Sequence, residues 1–337
     1  MEYGGINNAF IHLMSERDAS FEALLDGFVA DIIRRSGKSI SGFITIIDYP
    51  SLDYIAKKYG IKIFYFELGC FRQREYRNTA MISEYSLYSK ENSCHMACRY
   101  DRYLQEMKSS RHKLFTRKQI LSLFLCPDKL GCLDFYDSEP QYELGCALGW
   151  SEDMRFMLNS YIDHSELLYT AKKAFGIANV LVRLHPGNPT GAAYPTYIAT
   201  KDTSASPAEF ITKCKRVASV MSNVSIEAAF WGRSSYTFLH CPAYNMSLHN
   251  FDVTELKEIE LGYLNWYAFC WLLPNELLYD PEYLYWRLTD PTELDLYDRH
   301  LDYYLRQDKL PRNVLNMPPE SSVKVIKKMR KLFGKKD

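Results

Sequence analysis

The sequence lacks several features that would place it in a class at once. It has no net charge, since 41 Lys and Arg residues balance 41 Asp and Glu residues. No overall field therefore attracts nucleic acid or another polyanion. No apolar run reaches the roughly 18 residues that a membrane span needs, and no basic segment followed by an apolar one opens the chain. These absences predict a cytoplasmic protein that binds any charged partner only locally.

A disulfide framework is also missing from the pattern. The nine cysteines are odd in number and scattered, mostly within apolar stretches, which is typical of reduced thiols in a cytosolic core. Cys94 and Cys98, with His95 between them, could supply zinc ligands. No second Cys or His pair has matching spacing, so a structural role is the favoured interpretation.

The chain does have the length and composition of a large globular protein. Its 337 residues are 47% hydrophobic and 24% charged, enough for two domains with sizeable cores. Aromatic residues are unusually common, with 26 Tyr, 18 Phe and 5 Trp. A tyrosine ring suits stacking on a sugar or a base, but an ordinary place in a core or interface is the favoured interpretation.

The first part of the chain has an α/β pattern. Apolar spacing predicts a helix within residues 1–40, with Asp18 or Ser20 as its cap. An apolar β-branched run at 43–48, a helical segment at 52–59 and a second strand at 61–66 then form a strand-helix-strand unit. Such a unit implies two parallel strands with functional loops at their carboxyl ends, where Glu67 stands.

A second alternating block starts near residue 150. Its pattern predicts helices at 165–175, 208–215 and 226–232, and strands at 180–184 and 216–221. The polar, basic stretch at 100–120 is interpreted as a solvated helix, or as a mobile loop that faces an anion. The acidic, aromatic segment at 251–310 is expected to finish the second domain and return as helices.

We therefore predict an α/β protein with two Rossmann-like lobes, a central cleft and a C-terminal helical segment. The predicted domains are an acceptor-side domain at 1–150, a nucleotide-sugar domain at 151–310 and a basic amphipathic tail at 311–337. Residues 321–337 contain seven Lys and Arg against one Asp. This pattern is typical of an interfacial helix on anionic lipid, or of a helix that packs on the body.

Two short segments of the second block have residues suited to chemistry. His185 ends a predicted buried strand, and Pro186 turns the chain after it. Ser222, Asn223 and Ser225 precede a predicted helix, whose first N–H groups and dipole would favour an anion such as phosphate. Ser225 could instead be a simple helix cap. Together the two segments predict a phosphate pocket for a nucleotide sugar.

These segments carry a resemblance to a known group of enzymes. Leu-Val-Arg-Leu-His-Pro at 181–186 and Ser-Asn-Val-Ser at 222–225 are similar to the paired His-Pro and Ser-Ser/Thr motifs of bacterial glycosyltransferases that use CMP-activated acidic sugars. That group includes certain sialyltransferases and the Kdo transferases of capsule and O-antigen synthesis. The chain most resembles retaining β-Kdo transferases of GT-B architecture. Segments 66–72 and 274–293 add to a resemblance that spans 40–305.

The resemblance implies catalytic roles. In the family, the nucleophile is the Asp of a Gln-x-x-x-Asp element. Here Asp153 matches that Asp, but Gly149 replaces the Gln, and Glu152 is an adjacent competitor. Retention would follow from two inversions, with Asp153 attacking the anomeric carbon and Glu67 acting as base for the acceptor hydroxyl. His185 would stabilise the leaving phosphate or the donor carboxylate.

The resemblance also implies how the donor is held. Pro186, Ser222, Asn223 and Ser225 would bind the phosphate and ribose of CMP. Arg72 or Arg183 would pair with the sugar carboxylate, because a planar guanidinium binds it with two hydrogen bonds. The alternation of the strand turns Arg183 away from the cleft, which weakens its candidacy.

No cofactor is expected. The sequence has no evident Asp-x-Asp element in the nucleotide domain, and CMP leaves with a single phosphate, so metal independence is predicted. The expected function is transfer of an acidic sugar, Kdo first, from a CMP-sugar to an oligosaccharide or lipid-linked acceptor of a bacterial surface glycan. The alternatives are a sialyltransferase, a UDP- or GDP-sugar transferase, and a non-catalytic binding subunit of a polysaccharide assembly complex. The tail would place the protein at the cytoplasmic face of the inner membrane.

Overall fold

The computed structural model describes residues 11–72, 74–149, 162–186, 199–252 and 255–306, together with residues 153, 158 and 160. The strands are β1 (Gly42–Thr45), β2 (Lys62–Leu68), β3 (Thr79–Ser83), β4 (Tyr142–Ala147), β5 (Val180–Arg183), β6 (Thr200–Lys201), β7 (Cys214–Ser219), β8 (Ser234–Thr237) and β9 (Leu272–Pro274). The α-helices are α1 (Ala19–Ser36), α2 (Pro50–Tyr59), α3 (Lys90–Lys108), α4 (Arg117–Phe124), α5 (His164–Phe175), α6 (Pro207–Thr212), α7 (Val224–Phe230), α8 (Leu261–Trp266), α9 (Pro281–Arg287) and α10 (Glu293–Arg306).

The N-terminal strand-helix-strand unit is present as predicted. The side chain of Asp18 accepts a hydrogen bond from the Phe21 N–H at 2.7 Å and caps α1, so Asp18 and not Ser20 is the cap. Strands β1 and β2 pair in parallel around α2. The rest of this sheet is antiparallel, because β3 pairs antiparallel with β2 and β9 pairs antiparallel with β3. The strand order is β1-β2-β3-β9. This sheet is therefore mixed and departs from a Rossmann-like lobe.

The second sheet is wholly parallel, in the order β6-β5-β4-β7-β8. Strand β4 is first in the chain and central in the sheet, and the later strands add on one side and then on the other. That order is the doubly wound arrangement expected for the second block. The helices and strands predicted between 165 and 232 are confirmed in type, with ends that differ by at most three residues.

The two sheets do not follow the predicted boundary at residue 150. Strand β4 precedes it but is the central strand of the second sheet, and β9 lies beyond it but pairs with β3. One large buried cluster joins both sheets, with Met81 of β3 and Val217 of β7 among its members. The predicted pair of lobes with an open central cleft is not confirmed.

Helices account for most of the remaining chain. The segment at 100–120 is the end of α3, a connecting loop and the start of α4, which Thr116 and Gln119 cap reciprocally. Within the described part of the segment predicted at 251–310, which ends at residue 306, the chain returns mainly as helices, as expected, and α10 packs on α3. The predicted tail at 311–337 lies outside the described residues. No described helix has the length and apolar character of a membrane span.

Candidate active site

The carboxyl ends of three parallel strands bring the predicted residues of the second sheet to one edge. Asp153 follows β4, His185 follows β5, and the turn at 222–225 follows β7. The chain order of the sheet reverses between β4 and β7, and ligands of such sheets bind outside the strand ends at that point. The sequence analysis predicted these residues separately, and the order of the strands in the sheet brings them to the same edge.

His185 and Pro186 are both exposed at the end of β5. Desolvation lowers the pKa of His185, the charge of Arg72 lowers it further, and the charge of Asp153 raises it. The imidazole is therefore neutral at pH 7 and lies within electrostatic reach of both groups. Asp153 itself is half-buried.

Gly149 lies beside a buried histidine. A Cβ atom built on it would lie 3.4 Å from the ring of His164, which is buried at the start of α5. Gly149 therefore lies at van der Waals distance from that imidazole.

The turn at 222–225 is held by its own hydrogen bonds. The N–H groups of Val224 and Ser225 donate to the Ser222 hydroxyl at 3.3 Å and the Ser222 carbonyl at 3.1 Å, and that of Ile226 donates to the Asn223 carbonyl at 3.0 Å. The amides predicted to be free for an anion therefore have partners. The hydroxyl of Ser225 is fully buried and lies 2.7 Å from that of Ser219, which gives it a structural role.

Asn223 links this turn to the first sheet. Its Nδ2 donates to the carbonyl of Leu68 at 3.1 Å and approaches that of Gly69 at 3.5 Å, just after β2. Arg72 donates from Nε to the Gly69 carbonyl at 2.8 Å and from a terminal nitrogen to the Leu68 carbonyl at 3.3 Å. The exposed Arg72 and the half-buried Asn223 thus share the same two carbonyl groups, which places the end of β2 beside the turn.

Two other predicted residues are engaged within the protein. Glu67 is buried, and its Oε1 accepts from the Leu68 N–H at 2.8 Å. Arg183 donates to buried Asp202 at 2.6 Å and to the Ser204 carbonyl at 3.1 Å. Arg183 is therefore held by an ion pair within the protein.

Glu227 is a further group that the sequence analysis did not assign. It lies on α7 directly after the turn and is buried, with Oε2 lacking a hydrogen-bond partner. Burial raises the pKa of Glu227 to about 8, whereas a hydrogen bond with Tyr76 and the charge of Arg72 lower it. Its position two residues beyond Ser225 was visible in the sequence, but its burial was not.

Within the described residues, no group of three or more His, Cys, Asp and Glu side chains is arranged to hold a metal ion. Cys94 and Cys98 are both exposed on α3. The residues that converge at the strand ends are a carboxylate, a neutral imidazole, a guanidinium and a carboxamide. Such groups can bind a phosphate or carboxylate and supply a nucleophile.

Part of the chain is similar to a glycosyltransferase family, as the sequence analysis predicts. More particularly, residues 4–87 match the glycosyltransferase 99 family N-terminal domain. This match covers β1, α2 and β2, so it includes Glu67 and Arg72 but not the residues of the second sheet. The recognition made from the sequence motifs is confirmed at this level.

The structure is also similar to two solved structures of KpsC from Thermosulfurimonas dismutans. With the β-Kdo 2,7-transferase the chain shares 14% identity at a TM-score of 0.45, over 73% of this chain and 81% of that one. With the β-Kdo 2,4-transferase it shares 11% identity at a TM-score of 0.35, over 63% and 73%. Both likenesses are too distant to define a donor or a reaction. No curated protein sequence has a significant match.

Proposed function

We propose that this protein is a retaining glycosyltransferase that moves an acidic sugar, Kdo first, from a CMP-sugar to an acceptor in bacterial surface-glycan synthesis. The observation that carries the proposal is the convergence of Arg72 and Asn223 on the carbonyl groups of Leu68 and Gly69, with His185 in electrostatic reach of Arg72 and Asp153. The family match at 4–87 supports the transferase class. The motifs at 181–186 and 222–225 support the CMP-sugar donor.

The mechanism assigns one task to each group. Asp153 attacks the anomeric carbon of the donor and displaces CMP. This step joins the sugar to Asp153 as a glycosyl ester and inverts the anomeric configuration. Arg72 pairs with the sugar carboxylate. His185, neutral at pH 7, donates a hydrogen bond to the departing phosphate and supplies no full charge.

The second step transfers the sugar. An acceptor hydroxyl attacks the glycosyl ester from the opposite face and regenerates the Asp153 carboxylate, so the two inversions give net retention. Glu67 takes the hydroxyl proton, for which its side chain must leave the Leu68 N–H that it binds in this structure. CMP departs with one phosphate, and the mechanism requires no metal.

The test is CMP release from CMP-Kdo and CMP-sialic acid by the wild-type protein and by Asp153→Ala. We expect the wild-type protein to release CMP from CMP-Kdo. The rate of release should fall by about a thousandfold or more in Asp153→Ala, because the nucleophile has been removed. Exposed Asp252 provides a matched control, and Asp252→Ala should keep wild-type activity. Nuclear magnetic resonance of the product should show retained anomeric configuration.

Other outcomes would identify the alternatives. Turnover of UDP- or GDP-sugars alone would assign a different donor, and faster use of CMP-sialic acid would make the protein a sialyltransferase. Binding of CMP without turnover of any donor would indicate a non-catalytic subunit. Equal activity of Asp153→Ala and wild type would refute the nucleophile and leave Glu152 to be tested.

The proposal extends to where the enzyme works. Residues 321–337 lie outside the described residues, but their sequence combines seven basic side chains with apolar ones. We propose that this segment holds the enzyme on anionic lipid at the cytoplasmic face of the inner membrane, near lipid-linked acceptors.

A further inference from the structure

A cavity lies beside the first sheet, between α3, α9 and the start of α10. Its volume is about 40 Å³. Among the described residues that line it, the charged ones are three arginines and three carboxylates: Arg99, Arg102, Arg287, Glu84, Asp290 and Glu293. This concentration of guanidinium groups around a small space is the feature that the candidate active site does not use.

The cavity is separate from the candidate active site. Phe64 of β2 lines it and lies three positions before Glu67, so the two side chains point to opposite faces of the sheet. Ile82 of β3 also lines it, and its neighbour Met81 is the residue that pairs with Glu67. The cavity therefore lies on the face of the first sheet that Glu67 does not share.

Arg287 is a buried cation that lacks a counter-ion of its own. Its Nη1 is buried and has no hydrogen-bond partner among the described residues. Burial lowers the pKa of Arg287 and the charge of Arg99 lowers it further, whereas Tyr283 and the charges of Glu293 and Glu84 raise it. A buried cation of this kind costs free energy unless a negative group compensates it.

The carboxylates of the cavity are engaged elsewhere or exposed. Glu293 is buried, but both of its oxygens accept hydrogen bonds from Arg99, at 2.6 and 2.8 Å. Glu84 is exposed and lies 3.7 Å from Lys62, and Asp290 is exposed as well. The buried part of the cavity therefore has more positive than negative charge.

His95 responds to this charge. Burial and the charges of Arg99, Arg102 and Arg287 lower its pKa to about 4, against the opposing charge of Glu293. The imidazole is neutral at pH 7 and adds no cation to the cavity. All three guanidinium groups thus act on the same small space.

The size of the cavity limits what can bind. A cavity needs roughly 10–15 Å³ to hold one water, so this one has room for about three waters or for one group of similar size. A phosphate ion has this size, whereas a sugar or a nucleotide is larger. Its four oxygens accept hydrogen bonds from guanidinium groups that approach from different sides.

From these observations we infer that the cavity is a site for a free phosphate ion, bound by Arg287 in the interior and by Arg102 at the entrance. The bound ion compensates the buried cation and joins α9 to α3. The exposed Glu84 and Asp290 disfavour a phospholipid headgroup, because they would face an anionic membrane surface. The inference does not depend on the proposed function.

Binding is measured by isothermal titration calorimetry of the full chain at pH 7, with potassium phosphate titrated into a chloride buffer of equal ionic strength. We expect a dissociation constant of about a millimolar or less. Arg287→Met should weaken binding by at least about tenfold, because a charged donor is lost. Arg306→Gln is the matched control, since Arg306 is 75% exposed at the end of α10, and it should bind phosphate as wild type does.

Thermal unfolding separates a phosphate ligand from an arginine with a purely structural role. Without phosphate, Arg287→Met should have a Tm equal to or above that of wild type, because an apolar side chain replaces an uncompensated cation. Phosphate should raise the Tm of wild type but not that of the variant. A structural Arg287 would instead give a variant with a lower Tm in both conditions, which would contradict the inference.

A second variant covers the case in which Arg287→Met does not fold. Arg102 is 52% exposed, so Arg102→Gln should fold and should weaken phosphate binding by about threefold or more. No binding by wild type, unchanged binding by both variants, or tighter binding of acetate than of phosphate overturns the inference.

Vesicle co-sedimentation tests the other source of a phosphate group. Vesicles of phosphatidic acid in phosphatidylcholine should bind wild type and Arg287→Met equally, because the cavity takes the free ion. Weaker binding of the variant to these vesicles would assign the cavity to a lipid headgroup and overturn the inference of a free ion.

Discussion

Glu227 shows at the scale of one residue how burial changes chemistry. On a solvated helix it would be an ordinary carboxylate, but on α7 it lies beneath the turn that follows β7. Burial raises its pKa to about 8, so the side chain is largely protonated at neutral pH. A neutral carboxyl can occupy this interior without the cost of a buried charge.

This protonation makes stability depend on pH. The folded state holds a proton on Glu227 that the unfolded chain releases at about pH 4.3, so the free energy of unfolding falls as pH rises towards 8. Burial lowers the pKa of three histidines, to about 4 for His95, about 4 for His164 and about 3 for His300. Their titration makes the free energy of unfolding rise with pH, but only at pH values below about 6.5. Between pH 7 and 8 the effect of Glu227 should therefore dominate.

We predict that Glu227→Gln reduces this decline. Urea denaturation at pH 7 and pH 8 should show a smaller loss of stability than in wild type, because glutamine carries no titratable proton. The exposed Glu258 is a suitable control for the same substitution. Equal slopes for wild type and Glu227→Gln would show that the carboxyl is already ionised at pH 7.

At the scale of elements, a buried ion pair fixes α10 to α3. Arg99 donates to both oxygens of Glu293, at 2.6 and 2.8 Å, and the indole of Trp266 donates to Oε2 at 3.0 Å. Arg102 adds a longer contact of 3.4 Å. Both members of the main pair are buried, so each is compensated chiefly by the other. The pair joins residues 194 positions apart in the chain.

Breaking this pair should be costly. We expect Glu293→Gln to lower the free energy of unfolding by about 3–5 kcal/mol, because Arg99 would stay buried without its counter-charge. Glu258 is 83% exposed and lies 3.5 Å from Arg117, so Glu258→Gln should cost less than about 1 kcal/mol. Urea denaturation measures both, and similar values for the two variants would show that Arg99 finds another partner.

At the scale of the whole molecule, both sheets share one buried cluster. Strand β9 returns to the first sheet after the second sheet is complete, so the N-terminal sheet includes residues from late in the chain. The candidate site forms where the strand ends of the two sheets meet, through Asn223 and the carbonyl of Leu68. A change in either sheet can therefore alter the site.

The proposed membrane contact is tested on the whole molecule. We predict that deletion of residues 321–337 releases the protein from anionic vesicles, because seven basic side chains are lost with the segment. Transfer to a soluble acceptor should continue, since the predicted catalytic residues lie elsewhere in the chain. Vesicle co-sedimentation at low and high salt measures the binding. Retention of the truncated protein on vesicles would contradict the proposal.

The local sequence pattern alone predicted several helices and strands of this protein. Apolar spacing predicts α1, α2 and α5, and the β-branched run before His185 predicts β5, because these signals come from neighbours in the chain. Motif spacing likewise predicted the relation to glycosyltransferases. The sequence also placed His185 and Asn223 after two predicted strands of one α/β block, whereas Asp153 was identified only through the family resemblance.

Only the tertiary structure decided which strands are neighbours and which side chains are buried. The antiparallel pairing of β3 with β9 joins segments almost 200 residues apart, and no local pattern encodes such a contact. Residues distant in the chain bury Glu227 and Ser225. The amides of the turn at 222–225 have hydrogen-bond partners within the turn. Protonation and hydrogen bonding depend on those surroundings, and long-range packing sets them.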